Sequence, residues 1–156
     1  MKKLLVLLFA LSMTLLQAQG KKSVKKNALK GTVITDHING RDIPVEKKKF
    51  DKNGKITEEK DYDKEGVEKS IRTYKYNVNG DVIEEIDYNT KDKTTEKRLS
   101  KYNNLGDKTE EIIQDGNGKL LKTYLYTYNS NGLKKERKTL DSSGKVIAIR
   151  TYKYEK

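Results

Sequence analysis

The chain has 156 residues, 37% charged and 33% hydrophobic, and a formal net charge of +11. It has no Cys, which excludes a disulfide framework, a thiolate metal site and a Cys nucleophile. Its single histidine, His37, leaves no partner for a His-rich metal site and weakens any His-dependent triad.

Residues 1–20 read as a secretory signal peptide. Lys2 and Lys3 form a basic start, and Leu4 to Leu16 is an apolar run broken only by Ser12 and Thr14. Gln17-Ala18-Gln19-Gly20 then supplies small residues for cleavage after Ala18 or Gly20. The run is short for a membrane span of about 20 residues. A secreted, periplasmic or cell-surface protein is expected, without a transmembrane segment after cleavage. Residues 21–35 form a basic arm: Lys21, Lys22, Lys25, Lys26 and Lys30 precede the first acid, Asp36. Such an arm reads as solvated chain, or as a contact for anionic polysaccharide or lipid headgroups.

Residues 36–156 repeat. Phe50-Asp51-Lys52-Asn53-Gly54, Tyr62-Asp63-Lys64-Glu65-Gly66 and Tyr76-Asn77-Val78-Asn79-Gly80 share one pattern. It returns at Tyr102-Asn103-Asn104-Leu105-Gly106 and Tyr128-Asn129-Ser130-Asn131-Gly132. Tyr88-Asn89-Thr90-Lys91-Asp92 keeps the aromatic but has Asp at the Gly position. The spacing alternates between 12 and 14, so the true period is 26 residues.

Each half-period predicts one turn and one strand. Asp or Asn followed three residues later by Gly fits a type I turn closed by a left-handed Gly and a bulge. Segments such as Val82-Ile83-Glu84-Glu85-Ile86-Asp87-Tyr88 are strand-like. Turns this short permit only antiparallel neighbours. The expected fold is all-β: an antiparallel meander of about nine or ten strands. A curled open sheet is favoured, with a closed up-and-down barrel as the alternative. Pro44 and the Lys-rich strands should discourage edge-to-edge pairing.

All ten Tyr and Phe50 occupy even positions. Strand residues alternate faces, so this parity predicts one Tyr-rich face, taken as concave and more buried. Even residues should face even residues across each turn: Tyr76 with Val82, Tyr128 with Lys134, Leu140 with Val146, and Glu136 with Arg150. The candidate ligand-binding residues are Tyr74, Tyr76, Tyr102, Tyr124, Tyr126, Tyr128, Tyr152 and Tyr154. They offer either cross-strand packing or a stacking platform for sugar rings.

The acid doublets Glu58-Glu59, Glu84-Glu85 and Glu110-Glu111 recur every 26 residues and read as scaffold. Adjacent strand residues point to opposite faces, so the doublets are not acid–base pairs. The Asp-x-x-Gly turns lack the oxygen ladder of a calcium loop. No catalytic residue, cofactor or metal site is expected.

At the level of Phe-Asp-Lys-Asn-Gly-Lys-Ile, Tyr-Asn-Val-Asn-Gly-Asp-Val and Tyr-Lys-Tyr before the turn, the chain resembles YD repeats, also called RHS-type repeats. The resemblance covers residues 36–156. It implies β-hairpin repeats of the kind found in secreted and cell-surface proteins, some enclosing toxins and others linked to carbohydrate or adhesive contacts. The 12/14 alternation is unusually regular, and the repeats are too few for a closed shell. The expectation is an exported, non-enzymatic binding or adhesion module recognising polysaccharide or other surface material through the Tyr face. The alternative is a structural or protein-interaction element of the envelope, acting through sheet edges or the basic arm. Export argues against nucleic acid as a partner.

Overall fold

The structure is a computed structural model and describes residues 23–155. The expected signal peptide, residues 1–20, lies outside the described residues, as do the first two residues of the basic arm. Ten strands follow one another: β1 (Gly31–Ile38), β2 (Arg41–Phe50), β3 (Ile56–Tyr62), β4 (Glu68–Tyr76), β5 (Val82–Asn89), β6 (Thr94–Tyr102), β7 (Lys108–Asp115), β8 (Leu120–Tyr128), β9 (Lys134–Asp141) and β10 (Val146–Thr151). They neighbour one another in chain order, as one antiparallel meander. No pairing joins β10 to β1 among the described residues, so the sheet is open and the barrel alternative falls.

Two compact units divide the chain, Met1–Val67 and Glu68–Lys156. In the first, a helical turn at residues 23–26 precedes β1, and Leu29 N–H donates to the Val24 carbonyl at 3.0 Å. β1 begins at Gly31, inside the stretch read as a solvated arm. The β-branched run Thr32 to Thr35 favours that strand, and β2 pairs with it from Gly31↔Lys49 onward. Pro44 guards no edge, because β2 has β1 and β3 as its neighbours. Proline has no N–H to give the ladder, and the β1–β2 register shifts beside it, from Thr35↔Pro44 to Ile34↔Glu46.

The turns are built as their residue types dictate. At the β8–β9 turn, Asn129 Oδ1 accepts the N–H groups of Asn131 and Leu133, both at 3.0 Å. Gly132 N–H donates to the Asn129 carbonyl at 3.0 Å, and Gly132 takes a left-handed φ of 73°. Asp51, Asp63, Asn103, Asp115 and Asp141 each accept the same pair of N–H groups, two and four residues on. The β5–β6 turn differs: with Asp92 in place of Gly, the left-handed residue is Lys93, at φ 53°.

The bulge corrects the expected parity. Tyr76↔Val82, Tyr128↔Lys134 and Leu140↔Val146 pair as expected. The next pairs are Lys75↔Glu84, Thr127↔Glu136 and Thr139↔Ala148, which leaves Ile83, Lys135 and Ile147 as extra residues. Beyond each bulge, even residues therefore oppose odd ones. Glu136 faces Thr151, and Arg150 faces Arg137, against the expected Glu136–Arg150 pair. The turn motif was read correctly, but its bulge was not carried into the register.

The fold has little core. Among the described residues only Val24 and Ile113 are buried apolar side chains, and Ile113 alone is fully buried. Glu111, two residues from Ile113 on β7, and Thr139 on β9 are the buried polar ones among the described residues.

Candidate functional site

Cross-strand partners share a face, so the registers identify which residues stand together. In the second unit the pairs Tyr74↔Glu85, Glu85↔Arg98, Ser100↔Glu111, Glu111↔Tyr124 and Tyr126↔Arg137 define one continuous face. It carries Tyr74, Tyr76, Tyr102, Tyr124, Tyr126 and Tyr128. Tyr152, two residues beyond Arg150, extends the row. Tyr88 pairs with Ile71 and lies on the opposite face, so the Tyr set does not share one face. Neither does the even-numbered set: Ile86 and Ile112 lie opposite the tyrosines, whereas odd Ile113 lies beneath them.

The Tyr row before the turns has a structural task. Tyr102, Tyr128 and Tyr154 each donate their hydroxyl at 2.8 Å to the carbonyl of Val82, Lys108 and Lys134 respectively. Each acceptor is the first residue of a strand, just before its bulge. The β5–β6 ladder covers Glu84 to Asn89, so the Val82 carbonyl lies beyond its reach. The same holds for Lys108 in β7–β8 and Lys134 in β9–β10. The tyrosine satisfies the carbonyl that the bulge leaves over.

The inner ring pair is covered by cations. Tyr124 and Tyr126 lie 6.4 Å apart, tilted at 45°. Arg137 sits 4.8 Å and Lys122 5.5 Å from the Tyr124 centroid, and Lys134 sits 5.1 Å from that of Tyr126. Burial, helped by the Glu111 carboxylate, pushes the Tyr126 phenol up to about 12. Burial, and then Asp107, also raises that of Tyr128.

At the other end of these strands lies a groove of about 480 Å³, lined by Asp87, Asn89, Thr94, Glu96, Arg98 and Asp115 among others. The pairs Asp87↔Glu96 and Glu96↔Asp115 set three carboxyl residues on successive strands of one face. Like charges directly opposite repel. Arg98 offsets this, with Nη2 at 2.6 Å from Glu96 Oε1. Burial works to lower the Arg98 pKa, but the carboxylates of Glu96, Glu85 and Glu111 outweigh it and raise it. Arg98 Nε is buried and has no hydrogen-bond partner among the described residues. The sequence alone does not show this groove, because its rows depend on the β6–β7 bulge and on the β5–β6 turn that lacks Gly. One signal was present: Glu96 departs from its repeat equivalents Ser70, Lys122 and Ala148.

Five of the six acids in the doublets meet lysines, on a neighbouring strand or, for Glu111, on their own. Lys49 and Lys48 meet Glu58 and Glu59 at 2.9 and 3.3 Å. Lys75 and Lys97 meet Glu84 at 2.7 and 2.9 Å, and Lys101 meets Glu110 at 2.5 Å. Lys108 meets Glu111 at 2.7 Å. In the first unit Glu46, Glu59 and Asp61 converge. Lys48 Nζ stands 2.6 Å from Glu46 and 3.3 Å from Glu59, where a cation would stand. His37 Nδ1 lies 2.9 Å from Asp42 Oδ1 on an exposed hairpin.

No family model matches the chain, and no curated protein matches it. Among solved structures it is similar to a porin-like protein from Bacteroides uniformis, at 14% identity and a TM-score of 0.39. That match covers 78% of this chain and 49% of the other, so the chain spans about half the porin-like protein. It is also similar to a protein of unknown function from Bacteroides fragilis, at 13% identity and a TM-score of 0.23, covering 81% of this chain and 96% of that one. At these scores neither likeness bears on function. No helix among the described residues is long and apolar enough to cross a membrane, which says nothing of strands.

Proposed function

We propose that the chain is an exported, non-enzymatic β-repeat module that binds a polyhydroxylated ligand, a glycan of cell-surface material, on its tyrosine face. The observation that carries this reading is the polar groove on that face. Asp87, Asn89, Thr94, Glu96 and Asp115 supply hydrogen-bond acceptors and donors of the kind that sugar hydroxyls use. The rings of Tyr124 and Tyr126 contribute less than the sequence suggested, since cations cover them and their neighbours Tyr102 and Tyr128 hold backbone carbonyls. Catalysis is disfavoured by the same contacts. Glu96 is taken up by its 2.6 Å contact with the Arg98 guanidinium, which suits a hydrogen-bond acceptor. The apolar leader at residues 1–20 supports export to the periplasm or beyond.

A glycan array followed by calorimetry tests the reading. Binding of at least one polysaccharide is expected, weakened about tenfold or more in Asp87→Ala and Asp115→Ala, which corresponds to at least about 1.4 kcal/mol. Absence of any retained glycan, or affinity unchanged in both variants, overturns it. Hydrolysis of the bound glycan on prolonged incubation would overturn the non-enzymatic part.

A further inference from the structure

We infer that the open edge of β10 is a docking site for an acidic, extended segment of a partner protein, which adds to the sheet as a further antiparallel strand. The inference is independent of the groove. It starts from an internal identity: residues 149–154, Ile-Arg-Thr-Tyr-Lys-Tyr, are the same as residues 71–76 in β4. In β4 that sequence is paired, and its partner β5 shows what the sequence accepts. Lys75 opposes Glu84 and binds it at 2.7 Å, Tyr74 opposes Glu85, and Arg72 opposes Asp87. Aliphatic Ile86 opposes Thr73, and Tyr88 opposes Ile71.

β10 has no strand on its far side among the described residues. The hydrogen-bonding groups there match those of β4. Thr90 N–H donates to the Lys69 carbonyl at 3.0 Å, so by alternation it is the odd residues of β4 that bond to β5. Tyr152 N–H donates to the Lys135 carbonyl at 3.0 Å, so the even residues of β10 bond inward to β9. Beyond the bulge at Ile147, the odd residues Ile149 and Thr151 therefore present their N–H and C=O groups outward. Ile147 and Ile149 are 60% and 57% exposed, an edge that invites pairing.

Charge selects the partner. Between Lys134 and Glu155 the chain carries seven Lys and Arg against three Asp and Glu. By the β4–β5 register, Lys153, Tyr152 and Arg150 would each meet an acid, Thr151 an aliphatic residue and Ile149 an aromatic. The fitting segment thus reads acid-acid-aliphatic-acid-aromatic.

The probe is a fluorescent peptide of residues 81–90, which carries that pattern, titrated by anisotropy into the full chain. Saturable binding is expected. Ile149→Pro removes an outward N–H and leaves the β9 ladder intact, and it should weaken binding about tenfold or more. The double variant Arg150→Glu, Lys153→Glu leaves the backbone alone and serves if Ile149→Pro does not fold. It should reject the natural peptide and accept one with lysines in place of Glu84, Glu85 and Asp87. Overturning results are no binding by the wild type, equal binding of both peptides, or binding unaffected by either variant. Self-association through β10 that the peptide does not dissociate would also overturn it, by making a second copy the occupant.

Discussion

At the scale of single residues, tyrosine does two different things on one face. Tyr128 closes a backbone deficit created by a bulge, whereas Tyr126 sits in a partly buried patch between cations and Glu111. Replacing Tyr128 with Phe keeps the ring and removes one hydrogen bond. It should lower stability by about 1 kcal/mol in denaturant unfolding and leave glycan binding unchanged. Tyr126 should reveal itself by titration. Its phenol is raised from 10.0 to about 12, so the fold favours the protonated form. Its contribution to stability is whole below pH 10.0 and is lost as pH rises from there through about 12. Absorbance titration should show one phenolate appearing late, and Tyr126→Phe should remove that component together with its share of alkaline destabilisation.

At the scale of the element, the hairpin was legible and its consequences were not. Asn or Asp, then Gly three residues on, foretold the turn, the left-handed glycine and the bulge. Strand number, antiparallel order and the first pair after each turn, such as Tyr76↔Val82, followed from them. The face assignment failed because one extra residue per hairpin reverses parity, and parity had been carried through the turn unchanged. That register hides the groove: the β6–β7 bulge sets Asp115 opposite Glu96, and the longer β5–β6 turn sets Asp87 opposite it. The start of β1 at Gly31 rests on a different signal, the β-branched run Thr32 to Thr35 beside the lysines. The turn geometry itself can be tested at Gly132, whose φ is 73° and around which a Cβ would meet nothing within 4 Å. Gly132→Ala should therefore cost about 1 kcal/mol through backbone conformation alone, measured by thermal or chemical unfolding. Gly132→Asn, which tolerates the left-handed region, should recover part of it.

At the scale of the whole molecule, a fold with one fully buried side chain among its described residues draws its stability from ladders between neighbours. Within each unit, strands contact those next to them in sequence, which is the arrangement of a quasi-one-dimensional repeat protein. Hydrogen exchange should then be graded instead of uniform in the second unit. Protection should be greatest around Glu111 to Ile113 and least for the outward amides of β10; uniform protection across β4 to β10 would contradict this. The bulge and the 26-residue period together also restrict how such a chain gains or loses copies. Residues 103–128 run from one Tyr-Asn junction to the next, so their excision joins Tyr102 to Asn129 with the turn chemistry, the bulge and the sharing of faces preserved. Excision of 12 or 14 residues would fuse two strands of opposite direction and strand the tyrosines from their carbonyls. Copy number in this architecture is therefore counted in hairpin pairs. A single added or lost half is a break in the fold, while a whole period is only a change in width.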